Sequence, residues 1–85
     1  MKLEWSDLWT AMKESPCEWI QTTEHMYWRM LECLPPKAHA RGAFLVGEAD
    51  RHNAQGQAVY ACFKQTAAGY FAKYMTLEQF KGVAA

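Results

Sequence analysis

The sequence predicts one α+β domain, in which two N-terminal helices pack on a three-stranded antiparallel meander that is followed by a short C-terminal helix. Apolar residues recur at helical spacing in the first 34 residues, whereas short runs rich in β-branched and aromatic residues follow from residue 42 onward. With 85 residues, 51% of them apolar, the chain has material for one hydrophobic core. We therefore treat residues 1–85 as a single domain.

The first helix is predicted over residues 7–14. Ser6 is a typical N-cap residue, and Leu8 and Met12 form the start of an apolar stripe one helical turn apart. Pro16 ends this helix, because proline lacks a backbone N–H and disfavours helical geometry in the residue before it.

A short connector that includes Trp19 and Ile20 leads to a second helix, predicted over residues 24–34. Thr22 and Thr23 are candidate caps for it. Its apolar stripe repeats every four residues, through Met26, Met30 and Leu34. Two consecutive prolines end this helix, and residues 37–42 are predicted to form a linker.

Three strands are predicted over residues 42–48, 57–65 and 70–76, because each run is short and each break carries glycine, asparagine or aspartate. Thr76 is the candidate N-cap of a last helix, residues 77–81, whose apolar side chains are spaced to dock on the sheet.

The second hairpin fixes which residues share a face. If residues 66–69 form its turn, Gln65 lies opposite Tyr70. The predicted core face, under the helices, holds Val59, Ala61, Phe63, Tyr70, Ala72 and Tyr74. The opposite face holds Tyr60, Cys62, Lys64, Phe71, Lys73 and Met75.

The opposite face contains the first candidate for partner binding, which consists of Tyr60, Lys64, Phe71 and Lys73. Aromatic rings anchor protein interfaces or stack on bases, while lysines attract negative charge. The alternative is structural: the C-terminal helix covers the aromatic rings, and the lysine stems lie along them with their ammonium groups in water.

The second candidate is the polar loop of the first hairpin, with Glu48, Asp50, Arg51, His52 and Asn53. Loops held by a rigid scaffold often carry function. The alternative is again structural, because Asp and Asn form turns through local hydrogen bonds, Gly56 can supply a left-handed conformation, and Arg51 can pair with Asp50 or Glu48.

Catalysis, metal and cofactor binding are not predicted. The glycines are scattered singly, and no nucleophile elbow or phosphate-binding loop is present. The three histidines are not paired at zinc-ligand spacing, although a non-local site from Cys33, Cys62 and a histidine stays open. Three cysteines without a paired spacing favour a reducing, cytoplasmic compartment, and no apolar run approaches a membrane span.

Charge and aromatic residues are unevenly distributed. Nine basic and nine acidic residues cancel, but residues 1–34 carry a net charge of −3 and residues 35–85 one of +3. The four tryptophans all lie in the first third, at Trp5, Trp9, Trp19 and Trp28. A small domain buries four indoles with difficulty, so some of them are expected at the surface.

Three segments, MYWRMLECLPP, GAFLVGEADRHNAQGQAVYACF and YFAKYMTLEQF, together resemble a family of short bacterial proteins of unknown function, found in proteobacterial chromosomes and on mobile elements. The resemblance covers residues 19–80 and brings no known site residues. What the resemblance implies is a mobile-element context. Small proteins carried by phages and plasmids often inhibit host defence complexes, as anti-CRISPR proteins do, and the same function is expected for this chain.

The sequence therefore predicts a non-enzymatic protein-binding module, with a single-stranded nucleic-acid-binding domain as the alternative. A homodimer through an uncovered sheet face is a further alternative.

Overall fold

One antiparallel sheet carries helices on both of its faces. The computed structural model describes residues 3–33 and 35–84. Within them the elements are α1 (Trp5–Glu14), β1 (Ile20–Thr22), α2 (Glu24–Cys33), β2 (Ala38–Ala40), β3 (Ala43–Leu45), β4 (Arg51–His52), β5 (Ala58–Thr66), β6 (Gly69–Thr76) and α3 (Leu77–Ala84). The strand order is β1-β6-β5-β3-β2, and β4 pairs with β5 beside β3. The three-residue strands β1 and β2 therefore form the two edges.

The predicted α+β class is confirmed, but the meander is only the central part of a larger sheet. Its three strands are present, the first of them shorter than predicted, at Ala43–Leu45. Strands β1, β2 and β4 were missed, because the sequence analysis placed them in the connector, the linker and the loop. Each has only two or three residues, which is too few for a periodic pattern.

The register of the second hairpin is as predicted, with Gln65 opposite Tyr70. Its turn begins at Thr66, whose hydroxyl oxygen accepts a hydrogen bond from the Ala68 N–H (3.1 Å). Gly69 closes the turn at a φ of 130°, which favours glycine because a Cβ atom would be strained there. The turn chemistry thus sets the faces of both long strands.

Helix α1 starts two residues earlier than predicted, and Ser6 is not its N-cap. The carbonyl of Glu4 accepts a hydrogen bond from the Leu8 N–H (3.1 Å), so the helical ladder begins before the serine. Glu4 occupies the N-cap position without a side-chain hydrogen bond. Leu8 and Met12 are buried, as their spacing predicted.

Helix α2 is capped by Thr23, whose hydroxyl oxygen accepts a hydrogen bond from the Met26 N–H (3.1 Å). Met26 is buried as predicted, while Leu34, the third member of the predicted stripe, lies outside the described residues. The hydroxyl of Tyr27 donates to the carbonyl of Gly42 (3.2 Å), which ties α2 to the turn between β2 and β3.

The predicted core face is confirmed, and α1 and α2 cover it. The main core cluster contains Leu8, Met12, Met26, Tyr27, Phe44, Val46, Val59, Ala61, Phe63, Ala72 and Tyr74. Burial of this much apolar surface is the main contribution to the stability of the fold.

Helix α3 covers part of the opposite face. It is longer than the predicted 77–81, and Thr76 caps it as expected, since its hydroxyl oxygen accepts from the Gln79 N–H (3.2 Å) while the Gln79 side chain accepts from the Thr76 N–H (2.9 Å). This reciprocal pair is a capping box. Beneath the helix lies a second cluster of Ala43, Leu45, Cys62, Met75 and Phe80.

Candidate functional site

The part of the opposite face that α3 leaves open carries a group of basic and aromatic side chains. We call it the basic sheet surface and define it by Trp19, Gln21, Lys64, Phe71 and Lys73. Lys64 lies opposite Phe71 across β5 and β6, and Gln21 of β1 lies opposite Phe71 on its other side. Directly opposed residues share a face, so these three side chains form one row across the sheet.

Trp19 holds the two lysines together. The Nζ atom of Lys64 lies 3.9 Å from the centroid of the Trp19 ring, and that of Lys73 lies 5.7 Å from it. Lys64 also lies 5.9 Å from the centroid of Phe71. Each such cation–π contact at a partly exposed site is worth about 0.5–1 kcal/mol. The contacts therefore orient the ammonium groups without fixing them rigidly.

Among the described residues, no acidic side chain neutralises the two ammonium groups. Across the part of the chain that the structure describes, the one ion pair joins Asp50 and Arg51 (3.0 Å), so neither Lys64 nor Lys73 has a carboxylate within 4.0 Å. Both lysines are half-buried, as are Trp19 and Phe71. Two positive charges with partly desolvated stems remain available to an external anion.

A groove continues the basic sheet surface toward the turn between β2 and β3. It has a volume of about 800 Å³ and is lined by Arg41, Lys64, Gln65, Thr66 and Val83, among others. Because Lys64 belongs both to the groove and to the basic sheet surface, the two are continuous. Arg41 adds a third cation, and the exposed Val83 of α3 supplies an apolar wall.

Cys62 lies opposite Lys73 and two residues from Lys64 along β5, and it is fully buried. Burial raises the pKa of its thiol to about 12, although the charges of Lys64 and Lys73 act in the opposite direction. The thiol therefore stays protonated near neutral pH and packs as a small apolar group. It offers no nucleophile to a ligand on this face.

Tyr60, the remaining sheet residue predicted for partner binding, lies apart from the basic sheet surface. It faces Met75 across the hairpin and packs at the margin of the cluster under α3. Tyr60 is half-buried like Lys64, Phe71 and Lys73, but it lies beside α3 and away from their group.

The polar loop residues lie elsewhere. Arg51 of β4 is opposite Val59, and its Cζ atom lies 4.5 Å from the centroid of the Tyr74 ring, on the face that α1 and α2 cover. Asp50 forms the ion pair with Arg51 on this side, whereas His52, the next residue, pairs with Ala58 and therefore lies on the opposite face. The structure therefore does not bring the predicted loop residues and the predicted sheet residues together into one cluster.

Hydrogen bonds within residues 53–57 explain the conformation of the C-terminal end of the loop. The side-chain oxygen of Asn53 accepts from the N–H groups of Gln55 (3.0 Å) and Gln57 (2.9 Å). Gly56 adopts the expected left-handed conformation, with a φ of 78°. His52 pairs with Ala58 in the sheet and is exposed, as is Glu48. Asn53 thus acts as a turn residue.

Trp19 and Gln21 were missed by the sequence analysis. Both precede the second helix in a segment interpreted as a connector. The sequence signal that could have revealed this strand is the alternation of faces over residues 19–22. Ile20 pairs with Ala72 of the core face, and Gln21 pairs with Phe71 of the opposite face. Of the four tryptophans, Trp28 is the most exposed (42%), and the other three are half-buried.

The described residues form neither a metal site nor a membrane-spanning helix. Among residues 3–33 and 35–84, no three His, Cys, Asp or Glu side chains converge as a metal site would require. None of the helices in this part of the chain has the length and apolarity needed to cross a membrane. Comparisons with protein-family models, with curated proteins and with solved structures gave no significant match, so the function is argued from the site.

Proposed function

We propose that this chain is a non-enzymatic binding module that takes an acidic segment of a protein partner on its basic sheet surface. The observation that supports this most is the pair Lys64 and Lys73, held by Trp19 without a carboxylate within 4.0 Å among the described residues. Partly desolvated charges interact more strongly with an anion than fully hydrated ones do. The adjoining groove with Arg41 extends the positive surface for an elongated segment.

A protein carboxylate fits this surface better than a nucleobase. The ammonium group of Lys64 lies over Trp19 and also near Phe71, so a base that stacks on these rings must first displace it. The carboxylates of an acidic segment can bind these ammonium groups without displacing them from the rings. The single-stranded nucleic-acid alternative therefore carries an additional cost, and it becomes an outcome of the experiment.

The experiment measures the affinity of the full chain for a fluorescent twelve-residue peptide of alternating Glu and Gly, by fluorescence anisotropy at low salt. A peptide of alternating Gln and Gly is the neutral comparison. The double variant Lys64→Glu/Lys73→Glu is expected to lose binding at least tenfold, because two attractive charges become repulsive. The wild type should prefer the acidic peptide over the neutral one.

The matched control is Arg29→Glu/Lys37→Glu, which changes net charge equally at exposed positions outside the basic sheet surface. If the control loses as much affinity as the double variant, net charge alone explains binding and the proposed surface is wrong. If a labelled oligothymidine binds the wild type more tightly than the acidic peptide, with a steep salt dependence, the nucleic-acid alternative replaces the proposal.

The identity of the partner is a narrower hypothesis. The resemblance to small mobile-element proteins suggests a host defence complex in the cytoplasm, where the exposed thiols of Cys17 and Cys33 would stay reduced. Inhibition of a purified CRISPR effector complex by the wild type, but not by Lys64→Glu/Lys73→Glu, would support that partner.

A second copy of the chain is the alternative occupant. A twofold dimer through the basic sheet surface would bring Lys64 and Lys73 of both copies together, and like charges repel at such an interface. Sedimentation of the wild type at several salt concentrations tests this, since such a dimer should tighten as salt is added.

A further inference from the structure

A second pocket lies on the other side of the sheet, beneath α1 and α2. It has a volume of about 340 Å³, at the small end of the range for ligand sites. Its floor is made by side chains of the sheet, and its walls come from α1, α2 and the loop before β4. The pocket shares no residue with the basic sheet surface. Binding of a molecule in this pocket would therefore be a function separate from the binding of an acidic partner.

The interior of this pocket is apolar and aromatic. Val46, Ala61 and Tyr74 are buried residues of its floor, while Trp9 and Met30 form half-buried walls. The rings of Trp9 and Tyr74 are inclined by only 22°, with their centroids 6.4 Å apart. Near-parallel aromatic side chains and a thioether suit a flat apolar molecule.

One polar atom in this floor is unsatisfied. Tyr74 is 5% exposed, and its buried hydroxyl has no hydrogen-bond partner within the described parts of the chain. A buried hydroxyl without a partner costs free energy that a bound group can recover. Burial raises the pKa of Tyr74 and the Asp50 carboxylate raises it further, while Arg51 lowers it; burial is the largest of these effects, so the hydroxyl stays protonated near neutral pH. The Asp50 and Arg51 side chains thus both lie close to this hydroxyl.

The charged residues around the pocket favour a neutral occupant. Glu48 and Asp50 are balanced by Lys13 and by Arg51, which lies over the Tyr74 ring. Asp50 and Arg51 already neutralise each other, and their side chains are 36% and 41% exposed. An exposed pair of this kind is held weakly, so it can move aside to open the hydroxyl.

We propose that this pocket is a binding site for a small neutral molecule with a flat, one- or two-ring apolar body and one hydroxyl or carbonyl group. The ring system packs against Trp9, Met30 and Tyr74. Its oxygen accepts a hydrogen bond from the Tyr74 hydroxyl, after the Asp50–Arg51 pair has moved. Because the lining carries charges of both signs, in Lys13 and in Glu48, a charged molecule of the same shape would meet a repulsive group as well as an attractive one while losing its hydration.

Two probes that differ by one hydroxyl test the proposal, namely 2-naphthol and naphthalene. Their affinities for the full chain are measured by chemical-shift titration at neutral pH. We expect 2-naphthol to bind about tenfold more tightly, because it satisfies a donor that is already buried. Equal affinities, or no saturable binding of either probe, would overturn the proposal.

The variant Tyr74→Phe removes the donor while keeping the ring. It should fold, since it deletes an unsatisfied polar group, and it should bind both probes with equal affinity. The matched control is Tyr60→Phe, which removes a hydroxyl on the opposite sheet face and should keep the preference for 2-naphthol. A preference that persists in Tyr74→Phe would place the ligand hydroxyl elsewhere and contradict the assignment.

A second variant locates the site independently of Tyr74. Ala49 is exposed in the loop that lines the pocket, so Ala49→Trp adds a ring there without replacing a core residue. Both probes should then lose most of their affinity. Unchanged binding in Ala49→Trp, with the fold intact by circular dichroism, would show that the probes bind outside this pocket.

Discussion

The two faces of the sheet differ in how completely the helices bury them. The face under α1 and α2 carries an almost entirely apolar set, with Phe44 and Phe63 fully buried and their rings stacked at 5.7 Å. The other face receives only the short helix α3, and its open part carries Lys64 and Lys73 over Trp19. The first face therefore provides most of the stability, while the second combines a small core with the open basic sheet surface.

The largest expected effect on stability comes from truncating one aromatic residue on each face. Phe63→Ala should lower the free energy of unfolding by about 3–5 kcal/mol, because it leaves a cavity at a fully buried position. Phe71→Ala, at a half-buried position of the other face, should cost only about 1 kcal/mol. Urea denaturation followed by tryptophan fluorescence measures both. Equal losses would show that the two faces contribute alike to stability.

The dependence of stability on alkaline pH tests whether water reaches the Cys62 thiol on the second face. Burial raises the pKa of Cys62 from its ordinary 9.0 to about 12, while Lys64 and Lys73 lower it. Above pH 9 the unfolded chain releases the thiol proton and the folded chain keeps it, so this contribution to stability is lost as pH rises. Between pH 8 and pH 10, the wild type should lose about 1 kcal/mol more stability than Cys62→Ala.

The control for this comparison is Cys17→Ala, which removes an exposed thiol and should retain the pH dependence of the wild type. Parallel curves for the wild type and Cys62→Ala would mean that water reaches the thiol. The small cluster under α3 would then be less closed than the core on the other face.

The smallest effect concerns the anchoring of α3. Thr76→Ala removes the side-chain acceptor for the Gln79 N–H and should lower stability by about 1 kcal/mol. Thr10→Ala, an exposed position within α1, is the control and should change stability little. Hydrogen exchange should increase in α3 and leave α1 unchanged. A uniform increase across both helices would indicate that α3 does not open independently.

Much of this architecture follows from local sequence patterns. The alternation over the two long strands and the turn at residues 66–69 determined the register, and with it the faces of Lys64, Phe71 and Lys73. The second and third helices followed from Thr23 and Thr76 as caps. These features are predictable because turn and cap residues act within three or four positions of themselves.

The remainder depends on contacts between distant parts of the chain. Strand β1 exists because β6 offers it an edge, and three residues alone carry no reliable strand pattern. Trp19, which orients both lysines, was missed for that reason. Likewise, nothing local indicates that Arg51 lies over Tyr74, 23 positions along the chain, so the division of the predicted site residues between two faces emerged only from the fold.

The brevity of the edge strands β1 and β2 has a consequence for the behaviour of the chain in concentrated solution. A long unpaired border is a template on which other molecules add strands and grow into fibrils. Strands β1 and β2 present three residues each at the borders of this sheet, and β4, which pairs only with β5, presents two, so each stretch of outward-pointing backbone N–H and C=O groups is short. Contacts should therefore form through side chains on the faces, and the protein should resist fibril formation under conditions that favour the folded state.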